Sequence, residues 1–129
     1  MDNLNENVGV NKLMLMVKGI FFAMCMSLIM ILILSIILSF SNIKESVIMP
    51  TVIFISAFSI LMGSFLVAKK IDAKGIVYGS VLGLIYMVIL YLISSIMSFN
   101  FSLNMNAIIM IAFGVLGGAI GGVLGVNLK

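Results

Sequence analysis

The residues best suited to chemistry are soft donors near the start of the chain: Met14, Met16, Met24, Cys25, Met26 and Met30. Thioether and thiolate groups select soft ions such as copper(I). On a helix, however, residues two apart point about 200° apart, so Met24 and Met26 cannot share one ion. Methionine is also a common apolar filler, and these residues are expected to pack rather than to bind copper. Hydrolytic and proton-coupled chemistry lack their usual groups. The chain has no His and no Arg, and its four carboxylates, Asp2, Glu6, Glu45 and Asp72, lie outside the apolar runs. That removes the Ser–His dyad, the ligand set of an intramembrane metalloprotease and the buried carboxylate of a proton relay. A Ser–Lys dyad would need a lysine at membrane depth, where none occurs. No catalytic, cofactor-binding or metal-binding residue is expected, and the protein is not expected to be an enzyme. Tyr78 and Tyr86 are expected to hydrogen-bond inside a helix bundle, with Tyr91 nearer its far end. Asn127 reads as a helix cap or, as a second reading, a ligand-binding side chain.

The elements that carry these residues are membrane spans. Of the 129 residues, 64% are hydrophobic and 9% charged, whereas soluble domains run near 25% charged. Such a chain cannot cover its surface with polar groups and must be solvated by lipid. About 20 residues cross a hydrocarbon core of roughly 30 Å. Four uncharged runs of that length are present, at about 19–41, 47–68, 75–97 and 107–126. The fold class expected is an all-α four-transmembrane-helix bundle made of two hairpins. Residues 1–18 form a short cytoplasmic N-terminal segment and 19–128 the transmembrane domain. Ser39-Phe40-Ser41 imitates a signal cleavage site, but the first run exceeds the about 7–15 residues of a signal core. Pro50 falls in the first turn of the second span, where its missing N–H costs little. Continuous rather than alternating apolarity excludes a barrel.

Lysines set the orientation. With four spans, Lys12, Lys18, Lys69, Lys70, Lys74 and Lys129 share one side, and only Lys44 lies on the other. Positive charge in short loops stays cytoplasmic, which places both termini inside a cell membrane. A basic surface for nucleic acid is not expected. One cysteine, Cys25, permits no internal disulfide.

Helices in lipid associate by close packing, which small residues four apart allow. Such tracks occur in every span: Gly19, Ala23 and Ser27; Ser59 and Gly63; Gly75, Gly79 and Gly83; then Gly114-Gly118-Gly122 beside Gly117-Gly121-Gly125. All lie toward the lysine-bearing side, so the bundle should be narrow there and bulkier at the other end. Six glycines in one helix cost a water-exposed helix roughly 5 kcal/mol relative to alanine, which close helix approach would offset. The hairpins also resemble each other. Lys18-Gly19-Ile20 matches Lys74-Gly75-Ile76 at an offset of 56, and Gly63-Ser64-Phe65-Leu66 matches Gly121-Gly122-Val123-Leu124 at 58. A parallel internal repeat and a chance match of apolar runs both stay open.

Lys18-Gly19, Lys74-Gly75, Gly79, Gly83-Leu84-Ile85-Tyr86 and the ending Gly117-Gly118-Ala119-Ile120-Gly121-Gly122-Val123-Leu124-Gly125-Val126-Asn127 carry a resemblance over roughly residues 12–128. The chain resembles a family of small four-helix integral membrane proteins of Gram-positive bacteria whose function is unassigned. The resemblance implies a membrane location and this fold, and no activity. It departs from a paired-glycine pattern at Gly63-Ser64, where serine is still small enough to pack. Two functions remain in view: a non-enzymatic, self-associating or accessory membrane subunit, partnered by lipid and by a second copy or another membrane protein, and a small transporter or channel for an uncharged or weakly charged solute.

Overall fold

The computed structural model describes residues 2–71, 74–101 and 103–128. It contains four long helices: α1 (Asp2–Phe40), α2 (Ile48–Lys69), α3 (Gly75–Ser98) and α4 (Met105–Asn127), with a single 3-10 turn at Glu45–Val47 before α2. No strand occurs among the described residues. All four helices are long and apolar enough to cross a membrane. The last three begin and end within about two residues of the spans read from hydropathy, because the polar links that stop insertion also stop the helices.

The first helix differs. Residues 2–18 continue it without a break, so α1 has 39 residues. At 1.5 Å per residue it is roughly 58 Å long, about twice a hydrocarbon core. Roughly its first four turns, ahead of Met16, therefore project past the lysine-bearing end of the bundle. Nothing in this stretch breaks a helix: it lacks proline, and Gly9 meets no neighbouring atom. The projection is anchored where it leaves the bundle. Met16 is buried in one cluster with Ile71 of the α2–α3 link, and the Lys12 ammonium lies 5.8 Å from the centre of the Tyr78 ring.

The helices run up-down-up-down. α2 and α3 occupy the middle, α4 packs on both, and α1 packs on both from the other side without reaching α4. At the opposite end α1 parts from its neighbours, and Leu28, Ile29, Leu32, Ile33, Ile36 and Ile37 are exposed. Only 11% of its apolar window is buried, against 39% for α2.

Two helix ends use a left-handed residue that is not glycine. Lys74 (φ 62°) precedes α3 and Phe99 (φ 52°) follows it. A left-handed backbone costs a side-chain-bearing residue about 1–2 kcal/mol, so both turns are held by the helices they join. Asn127 does not cap α4. It is the last helical residue, and the N–H of Leu128 closes the end by donating to the Leu124 carbonyl at 2.9 Å. The cap expected at Asn127 falls one residue later, at Leu128.

Candidate functional site: the glycine seams and the lysine end

The most constrained part of the molecule is the pair of seams formed by α4. Gly114, Gly118 and Gly122 face α3, where they mesh with Gly83, Gly79 and Gly75; each step of four up α3 meets a step of four down α4. A Cβ added to Gly79 would strike the Gly118 carbonyl oxygen and lie 2.9 Å from its carbon, and one added to Gly118 would strike Gly79 in the same way. The two backbones therefore touch with no room for a methyl group between them. The other track faces α2: Gly117 lies against Ala57, Gly121 against Leu61 and Ser64, and Gly125 against Phe65 and Ala68. Tracks three residues apart are displaced by about 60° around a helix, which is how one helix offers two backbone faces to two neighbours.

The α1–α2 contact is looser and uses side chains. A Cβ on Gly63 would meet the Ala23 methyl and the Gly19 carbonyl oxygen, both at 2.9 Å, and Gly19 is covered by Val67 and Leu82. The hairpins thus share a contact pattern. Gly19 is covered by Val67 as Gly75 is by Val126, and Gly63 lies on Gly19 as Gly122 lies on Gly75. By contact, the second helices correspond at an offset of 59, one residue beyond the 58 that sequence letters suggest.

Serines complete the seams while satisfying themselves locally. Ser27, Ser59 and Ser64 are buried, and their hydroxyls donate to Met24 (2.8 Å), Ile55 (2.9 Å) and Leu61 (3.0 Å) carbonyls on their own helices. Such back-bonding leaves no hydroxyl hydrogen for a neighbouring helix. Tyr86 differs from its expected role. It is fully buried, the Ser27 side chain lies beside it, and its hydroxyl has no hydrogen-bond partner. Tyr78 carries the Lys12 ammonium on its ring face instead. Tyr91 lies at the far end, beside Asn104, Asn106 and Ser94, around an open cavity of about 260 Å³ between α3 and α4.

The soft donors are dispersed around α1: Met16 is buried, Met14 exposed, and Cys25 half-buried. Among the described residues no group of His, Cys, Asp and Glu could hold a metal ion. Lysines gather where α1 and α2, and α3 and α4, meet. Lys18 and Lys70 line a groove in the first hairpin, Lys74 lines one in the second, and Lys69 lies 5.8 Å from the Phe65 ring centre. Lys129, Asp72 and Ala73 lie outside the described residues. Hydropathy and spacing had not pointed to the projecting half of α1 or to these grooves; the uninterrupted helix-compatible stretch 2–18 was the available signal.

Four apolar, membrane-length helices around a glycine-seamed interior define a multi-pass α-helical membrane protein. The chain belongs to DUF3792, a family of proteins of unknown function, which matches it over residues 12–125. No curated protein and no solved structure matches it.

Proposed function

We infer that this protein is a non-enzymatic subunit of the plasma membrane of a Gram-positive cell, with both termini cytoplasmic, that associates with a second copy of itself or serves a larger membrane assembly. The supporting observation is the asymmetry of burial. The glycine faces are occupied within the protomer, so they leave nothing for a partner. The outer half of α1, by contrast, presents a continuous apolar stripe through Leu28, Leu32, Ile36 and Phe40. Helices gain little by hiding leucine from lipid, so a helix held apart from its own bundle is available to another at small cost. The test is single-cysteine cross-linking in a Cys25→Ser background, with cysteine at Leu32 or Ile36, in native membranes. Cross-linked dimers, or one defined heterologous adduct, support the reading. Cysteines that react with lipid-phase reagents but form no adduct would remove it.

The cavity beside Tyr91, Asn104 and Asn106 favours a second reading, a small transporter or channel whose vestibule opens away from the lysines. Flux of uncharged solutes and of ions into liposomes containing the pure protein separates the two.

A further inference from the structure

The lysine end holds a feature that neither reading uses. Between α1 and α2 lies a groove of about 200 Å³ lined by Lys18 and Lys70 together with Leu15, Gly19, Phe22, Leu66 and Val67. The other nearby lysines are differently placed, since the Lys12 and Lys69 ammoniums lie over the Tyr78 and Phe65 rings. Among the described residues no carboxylate lines the groove, and Asp72, two positions after Lys70, lies outside them. Glu45 precedes α2 at the opposite end, and Glu6 stands about 18 Å from Lys18 along α1.

We propose that this groove binds the phosphate headgroup of an anionic phospholipid, the two ammoniums holding the phosphate while one acyl chain lies along Phe22 and Leu66. Three features argue for a lipid rather than a soluble phosphate. The groove lies where the apolar run begins at Gly19, its lining apart from the two lysines is apolar, and Phe22 and Leu66 are themselves partly exposed. Basic pockets between helices at a membrane surface bind anionic headgroups in this way. A related groove of about 460 Å³ lies in the second hairpin, where Gly75 and Val126 take the places of Gly19 and Val67 and Lys74 stands before Gly75 as Lys18 stands before Gly19. Its described lining carries this one lysine, so it is not a second copy of the two-ammonium site.

The proposal rests on the membrane reading and not on subunit association, so a monomer tests it equally well. Native mass spectrometry of the detergent-purified full chain, titrated with phosphatidylglycerol and with phosphatidylcholine, is the measurement. Phosphatidylglycerol should be retained preferentially. Lys18→Gln and Lys70→Gln should each weaken its binding roughly fivefold, and together about thirtyfold. Lys69→Gln removes the same charge from the same end and should leave it unchanged, as should Lys44→Gln at the far end. Thermal melts of the exposed-lysine variants confirm that they fold. Equal retention of both lipids overturns the proposal, and so does an equal loss in Lys69→Gln, which would mean a diffuse basic surface. Displacement of the lipid by millimolar inorganic phosphate would show a site for the free anion and would also overturn it.

Discussion

Replacing Gly118 by alanine is the sharpest test of the α3–α4 seam. The new methyl group would strike the Gly79 carbonyl oxygen, and it would lie 2.9 Å from the Gly79 carbonyl carbon and 3.2 Å from Gly83 Cα. Ordinary carbon contacts lie near 3.5–4.0 Å, so the helices must part by roughly half an ångström or more. Both obstacles are backbone, so no rotamer change relieves them. A gap of about 0.5–1 Å forfeits a quarter to a half of each atom pair's dispersion energy, and overpacking costs about 1–3 kcal/mol in all. Against this stands a helix-propensity gain of at most about 1 kcal/mol, smaller in lipid than in water. The internal control is Gly117→Ala one residue away: its methyl would meet the Ala57 carbonyl oxygen at 3.2 Å and nothing else nearer than 3.7 Å. Thermal unfolding of the purified protein in a mild detergent should therefore lower the Gly118→Ala midpoint by roughly 5–10 °C and leave Gly117→Ala close to wild type. Leucine at Gly118 or Gly121 should be worse still yet insert normally, because leucine favours insertion, and Ile109→Leu should be near neutral. If Gly118→Ala and Gly117→Ala melt alike, the seam is not the tight backbone contact described, and the reasoning fails.

Tyr86→Phe should stabilise the protein by about 1 kcal/mol, since it deletes a buried hydroxyl that has no partner; a loss of that size in chemical denaturation would mean that the hydroxyl is bonded in the bilayer. Phe99→Gly should raise the melting midpoint, because Phe99 is 93% exposed and held at φ 52°, where glycine carries no penalty. A lowered midpoint would show that the ring anchors the α3–α4 turn. Reporter fusions after residue 44 and near residue 103 should read extracytoplasmic and those at residue 71 and the C-terminus cytoplasmic, and replacing Lys69, Lys70 and Lys74 with Gln should mix the orientations. An extracytoplasmic C-terminus in the wild type would contradict the orientation.

Continuous apolar runs broken by short polar links are sufficient to specify four helices, because a bilayer leaves a spanning backbone no other way to satisfy its hydrogen bonds. That is why α2, α3 and α4 were legible nearly to the residue. The four-residue spacing of glycine was legible too, since it is a property of one helix. Which neighbour each track faces was not: Gly118 touches α3 and Gly121 touches α2, and two tracks 60° apart fit several arrangements equally until the third and fourth helices are docked. The projecting half of α1 was hidden because a mixed polar stretch carries no hydropathy signal, and it is anchored by contacts from Met16 and Lys12 to residues some 55 to 66 positions away. The missing partner of the Tyr86 hydroxyl could not be foreseen either. Burial and hydrogen-bond geometry depend on where Ser27 of another helix comes to rest relative to the Tyr86 hydroxyl, and only the packed structure decides that.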